Sequence, residues 1–297
     1  MFERDDELVY ITFQYLACLD NVLGKQEVLL MKKVRMILAA LVSLMLICSV
    51  AACSKQDASN PAPAQKVSLT VSAAASLKDA MDEVKVNYEK DNPNVTVTIN
   101  FGGSGALEQQ IENGADVDVF ISAATKQIDQ LKAKGLTMDD TITNLLGNKL
   151  VLIVPSDSKA NITDFSGVTE DSIKKLALGE AKSVPAGQYA EEVFSKLNIL
   201  DKVKGKAVYG KDVKEVLTWV ATGNADAGVV YETDAKTSDK VKVVAVAAED
   251  THTPIVYPAT IIKSSKNVDA AKAFMAYLSG PQAKAVFEKY GFTVLAK

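Results

Sequence analysis

Downstream of residue 66 the chain switches repeatedly between two apolar spacings. Val67 to Ala73 is a short apolar, strand-like run. Leu77, Met81, Val84 and Tyr88 then recur every three or four positions, which predicts a helix over Leu77 to Lys90. The switching continues with strands at Val95 to Phe101, Val117 to Ser122, Leu150 to Val154, Lys175 to Leu178, Ala227 to Tyr231, Val241 to Ala247 and Tyr257 to Ile262. Helical spacing falls at Gly105 to Glu112, Lys126 to Lys134, Gly187 to Leu197, Val213 to Thr222, Asp269 to Leu278 and Pro281 to Lys289. Strands interleaved with helices favour an α/β fold whose mainly parallel sheet is covered on its faces.

The first 66 residues break this rhythm. Met36 to Ala52 is a largely apolar run of 17 residues behind Lys32, Lys33 and Arg35. A spanning helix takes about 20 such residues, whereas a basic start, a shorter apolar core and small residues at the end describe an export signal. The closing Val50-Ala51-Ala52-Cys53 resembles a bacterial lipobox, which makes Cys53 the lipidated mature N-terminus at the outer face of the cell membrane. Cys48 fits less well, because bulky Ile47 stands where the pattern wants a small residue. A retained membrane anchor is the alternative. Residues 1–30 carry Glu3, Asp5, Asp6 and Glu7, which suit no export signal. Gln26-Glu27-Val28 can be encoded by a purine-rich ribosome-binding sequence just ahead of Met31. Translation is therefore expected to start at Met31 or Met36, with residues 31–52 as signal peptide; a genuine N-terminal extension is the other possibility. Residues 53–66, polar with two prolines, read as a lipid-anchored flexible tether.

Counted from Cys53, the chain has 245 residues, one cysteine, 28 lysines, 31 acidic residues and a net charge of −3. No disulfide or cysteine nucleophile is then available. No arginine remains in this part, which argues against nucleic acid as a partner. A single histidine, His252, sits in an Asp-Thr-His-Thr-Pro stretch that reads as a solvated loop. A transition-metal site normally draws on several His or Cys ligands, and no G-x-S-x-G turn supports a serine triad around His252. Asp116 and Asp118 flank Val117 on one strand face; they could do acid–base work, but more commonly such a pair marks a strand start and a solvated side.

Phe101-Gly102-Gly103-Ser104-Gly105 lies between a strand and a helix, where nucleotide-binding folds place their phosphate turns. The dinucleotide fingerprint fails at Glu108, and no Gly-Lys-Ser/Thr follows for a P-loop. Its glycines are expected to let a smaller anion approach, with Ser104 as a helix N-cap. Three further helix starts have similar character: Ser76 after the first strand, Pro185-Ala186-Gly187, and Asp212-Val213 with Asp212 as cap. Converging helix N-termini at the carboxyl ends of strands can hold an anion without formal positive charge.

The segments AAASLKDAM, FGGSGALEQQIENGADVDVFISA, LLGNKLVLIVP, SVPAGQYAEEV, GNADAGVVYETDA and GPQAKAVFEKYGFT, in this order, resemble the molybdate-binding proteins of bacterial ABC importers. The resemblance runs from about Leu69 to the C-terminus. It implies a two-lobed periplasmic-binding-protein type II fold, each lobe a mixed, mainly parallel sheet covered by helices, joined by a two-segment hinge. Residues 67–148 plus about 256–297 would form the first lobe and 149–255 the second, with the return somewhere between Thr233 and Pro258. By motif alignment the oxyanion ligands fall on the hydroxyls of Ser76 and Ser104, the backbone N–H groups of Ala186 and Val213, and the hydroxyl of Tyr231. The family's serine run is shortened here to Gly103-Ser104-Gly105, which leaves fewer spare hydroxyls for fine selectivity. The implied function is capture of molybdate, and of tungstate, for delivery to a membrane permease by a monomer that needs no cofactor and no protein-ligated metal. A same-fold receptor for sulfate, or a surface lipoprotein hydrolase using Ser76 or Ser104, are the competing readings. On the leading one, Ser104→Ala is expected to weaken molybdate binding by about 1–3 kcal/mol with little loss of stability. Trp219, the only tryptophan, has core spacing from Val216.

Overall fold

The structure, a computed structural model, describes residues 66–296. Cys53, the signal-peptide segment, residues 1–30 and the tether ahead of Lys66 lie outside the described residues.

Each of the first three strands leads into a helix. β1 (Val67–Ala74) turns through a short 3-10 segment, Ala75–Leu77, into α1 (Lys78–Asp91). β2 (Val95–Gly102) leads to α2 (Ser104–Glu112), and β3 (Val119–Ile121) to α3 (Thr125–Ala133). β4 (Thr143–Gly147) is followed by β5 (Leu150–Pro155) with only Asn148 and Lys149 between them. The second half repeats the pattern with β6 (Leu176–Gly179), α4 (Pro185–Lys196), α5 (Leu200–Lys204), β7 (Ala207–Gly210), α6 (Val213–Ala221), β8 (Ala227–Tyr231), α7 (Glu232–Ala235) and β9 (Val241–Val246). β10 (Val256–Ile261), α8 (Val268–Leu278), α9 (Pro281–Lys289) and the two-residue β11 (Thr293–Val294) end the chain.

Two sheets result, ordered β11-β4-β10-β3-β1-β2 and β7-β6-β8-β5-β9. The first therefore combines early and C-terminal strands, while the second is built from the middle of the chain. Both are mixed, but parallel pairing is less dominant than expected. In the first sheet only β1–β2 and β1–β3 are parallel, and in the second only β6–β7 and β6–β8. The antiparallel pairs arise where the chain passes between the sheets. It leaves by β4 and returns by β10, which pair antiparallel in the first sheet; it enters by β5 and departs by β9, which pair antiparallel in the second. Strands that run out and back need no helical crossover.

Apolar spacing explains the packing. β5 lies inside its sheet between β8 and β9, and Leu150 through Val154 are all fully buried, as a strand covered on both faces requires. α1 buries Ala80, Met81, Val84 and Tyr88 along one stripe, each large side chain contributing about 1.5–3 kcal/mol of burial. Tyr88 meets the rings of Phe274 and Tyr277 edge-on, tying α1 to α8. The parallel strands of both sheets end at Ala74, Gly102, Ile121, Gly179, Gly210 and Tyr231, and these ends or the turns that follow them line the site.

Candidate functional site

One small cavity lies between the two sets of strand ends. Its wall includes Ser76, Ser104, Ala186, Val213 and Tyr231 together with Gly103, Ala123 and Pro185. All five residues singled out in the sequence are thus brought together. None of the described residues that line the cavity is charged.

Each donor is held by a local cause. Ser104 is the first helical residue of α2, not its cap; Gly103 occupies the cap position. The Ser104 Oγ, fully buried, accepts from the Ala123 N–H at 3.0 Å, so its own proton is available to the cavity. Ser76, in the 3-10 turn after β1, lies 2.9 Å from the Tyr257 hydroxyl. Ala186 follows Pro185, which occupies the first helical position of α4, where a missing N–H costs nothing. Val213 opens α6 behind Asp212, whose carboxylate accepts from the Glu215 N–H at 2.9 Å, as expected of a cap. Among the described residues the Ala186 and Val213 N–H groups take no backbone partner. Both lie in first turns, where the helix dipole adds to their attraction for an anion.

Tyr231, at the end of β8, is the most telling group. Its ring is 1% exposed and packs edge-on to Tyr257 at 5.8 Å. Its hydroxyl is buried with no hydrogen-bond partner among the described residues. An unpaired buried hydroxyl costs about 1–3 kcal/mol, so its place on a cavity wall marks a position where something else completes the bond. Burial holds the Tyr231 and Tyr257 phenols well above their ordinary pKa, keeping both protonated. Among the described residues the cavity therefore presents two helix-start N–H groups, three hydroxyls that can donate and no carboxylate.

A model of the bacterial extracellular solute-binding proteins matches residues 69–293. The chain belongs to that family. A Bacillus subtilis (strain 168) protein provisionally named ABC transporter substrate-binding lipoprotein YvgL is 48% identical over 262 residues, covering 88% of this chain and 98% of that protein. The molybdate-binding protein ModA of Haemophilus influenzae is 44% identical over 233 residues, 77% of this chain and 91% of that one. Among solved structures, the substrate-binding domain of a provisionally named molybdenum ABC transporter from Clostridium difficile is 49% identical, with a TM-score of 0.60 over 77% of this chain and 99% of that one.

In this solute-binding protein the two lobes touch around the cavity. The Gly105 N–H donates to the Ser183 carbonyl at 2.8 Å. A Cβ on Gly103 would lie 2.7 Å from the Lys211 carbonyl oxygen and 2.9 Å from that of Ser183; one on Gly105 would lie 2.8 Å from the Ser183 Cα. Gly103 and Gly105 thus admit the facing lobe's backbone, a use the sequence did not suggest, while Gly102 and Gly103 also line the cavity. Lys214 on α6 reaches Asp79 on α1 at 2.6 Å and the buried Asp234 at 3.3 Å. Burial pushes the Asp234 carboxyl up to about 6 despite the Lys214 charge.

The other residues considered for chemistry are dispersed. His252 is half-buried against Tyr189, its ring 5.9 Å away, and its Nδ1 lies 2.7 Å from the Thr253 carbonyl. Asp116 is exposed, whereas Asp118 is 5% exposed and accepts from the Thr70 N–H and the Ser265 hydroxyl at 2.8 and 2.6 Å. The expected solvated pair is therefore one surface acid and one buried clamp that ties β1 to the chain after β10. Trp219 is half-buried at the edge of the core, not within it. Tyr257, bonded to Ser76, and Asn148 behind it support the site but were not apparent from the sequence, because neither stands at a strand-to-helix start.

Proposed function

We propose that this protein captures molybdate, and tungstate, between its lobes and delivers it to the permease of an ABC importer. Membership of an extracellular solute-binding family makes it an exported binding protein, and relatives named for molybdate supply the ligand class. The observation that carries the reading is the Tyr231 hydroxyl, buried without a partner among the described residues on an uncharged cavity wall that also carries the Ser76 and Ser104 hydroxyls. Molybdate is fully deprotonated at neutral pH and only accepts hydrogen bonds. Bonds to a charged group contribute about 1.5–3 kcal/mol each. Five of them would leave micromolar affinity or better after ordering costs, since 1 μM corresponds to about −8.2 kcal/mol.

Ser76, Ser104, Ala186, Val213 and Tyr231 would be the ligands, split between lobes so that only the closed form engages all five. On this reading the protein is a monomer without a cofactor. A lipid on Cys53 would hold it at the outer face of the membrane, and residues 54–66 would give it reach. Calorimetric titration of the purified protein with molybdate, tungstate, sulfate and phosphate tests the assignment. Binding of molybdate and tungstate with weak or absent phosphate binding is expected. Tight sulfate binding without molybdate binding would refute it, and turnover of an ester substrate would instead favour a hydrolase.

A further inference from the structure

Resting on the oxyanion reading of the cavity, we propose that Asn148 and Tyr257 are positioning residues that fix the Ser76 hydroxyl as a donor to the ligand. The direction follows from counting protons along the contact chain. The Asn148 Oδ1 accepts from the Lys149 N–H at 2.9 Å, which turns its amide nitrogen the other way. That Nδ2 donates to the Thr233 hydroxyl at 2.9 Å and to the Tyr257 hydroxyl at 3.2 Å. A phenol carries a single proton. The Asn148 Nδ2 only donates, so among the described residues the acceptor within reach of that proton is the Ser76 Oγ at 2.9 Å. Ser76 is then already an acceptor, and its own proton turns to the cavity.

The tyrosine cannot easily swing away from this role. Its ring is fully buried, edge-on to Tyr231 at 5.8 Å and to Phe292 at 5.6 Å. Ser104 acquires the same polarity by another route, from the Ala123 N–H. Each serine thus accepts from a fixed donor within the protein and gives outward. An anion that still carries a proton, such as hydrogen phosphate, would need an acceptor that neither hydroxyl is set to provide. Asn148 lies in the two-residue passage between β4 and β5, and Tyr257 in the strand that receives the returning chain. The donor polarity of the site is therefore set from the hinge.

A double-mutant cycle tests this, with Asn148→Asp, Tyr257→Phe and the pair titrated with molybdate and with phosphate. An aspartate at 148 takes the Tyr257 proton, so Ser76 turns its own proton toward Tyr257 and presents a lone pair to the anion. Loss of one hydrogen bond to a charged group predicts about ten- to a hundredfold weaker molybdate binding, with a narrowed preference over phosphate. With phenylalanine at 257 the relay is absent, and Asn148→Asp should then change affinity by less than about threefold. Equal losses in both backgrounds would show that the new charge acts directly on the anion, and would overturn the relay. Thermal melts monitor folding. If Asn148→Asp does not fold, uncharged Asn148→Leu gives the same cycle, with a smaller loss expected only when Tyr257 is present. A wild-type protein that binds sulfate and not molybdate overturns the proposed function while leaving the relay to be judged by the same cycle on sulfate. Binding of none of these anions overturns both.

Discussion

Tyr231→Phe removes one oxygen and leaves the ring in place against Tyr257. In the structure that oxygen is buried with no partner among the described residues, a state that costs about 1–3 kcal/mol. Its removal should leave stability unchanged or raise it by as much as about 2 kcal/mol, depending on how far opening hydrates the hydroxyl. With ligand bound, the same oxygen would donate to a dianion, and its loss should cost about 1.5–3 kcal/mol of affinity, roughly ten- to a hundredfold. The two effects have opposite signs, which an indirect packing effect would not produce. Calorimetry gives the affinity, and thermal melts with and without saturating molybdate give the linked stabilisation, which falls as the dissociation constant rises. The variant should melt no lower than wild type alone and gain less from ligand. Unchanged affinity would remove the hydroxyl from the site. A ligand-free melting point several degrees lower would show that the hydroxyl has a structural partner.

Ser104→Ala should weaken binding by about 1–3 kcal/mol and, contrary to the expectation from sequence, also lower stability by a similar amount, because it strands the buried Ala123 N–H; a melting point equal to wild type would contradict this. Gly103→Ala should block full closure, since the new methyl meets the Lys211 and Ser183 carbonyls, and small-angle scattering should show that molybdate no longer compacts the variant as it does wild type. Burial, helped by the neighbouring Glu112, raises the Glu108 carboxyl to about 7. The folded form then binds more protons than the unfolded form between the ordinary carboxylate range and pH 7, so stability falls as pH rises through that window. Glu108→Gln should abolish this slope and exceed wild type by on the order of 1 kcal/mol at pH 8, with solvent screening allowed for; denaturant melts at pH 4 and 8 showing the same difference would refute it.

Long apolar periodicities were readable directly. β8 and α9 fall where the spacing predicts them, and most other elements differ by one or two residues. β4 was missed because Thr143 and Asn144 interrupt its apolar pattern, and the edge strand β7 because it is only partly covered. Sheet polarity was overestimated because local spacing records that a strand exists but not that the chain has crossed to another lobe. The five cavity residues were found through motif resemblance, since a hydroxyl at a helix start looks the same whether it caps or binds. Ser104 shows the limit: only the fold reveals that its oxygen serves Ala123, more than a dozen residues away. Asn148 and Tyr257 carry no local signal, because their role depends on a contact between residues more than a hundred apart in sequence.

The uncharged wall of the cavity has a consequence for the medium in which the protein works. A receptor that held its anion with lysines or arginines would bind less tightly as dissolved ions screened those charges, over a Debye length of about 8 Å at physiological salt. Backbone amides and hydroxyls enclosed between two lobes carry no counterions to release. Capture should therefore vary little between dilute and saline surroundings, which suits an exported protein exposed to water whose composition the cell does not control.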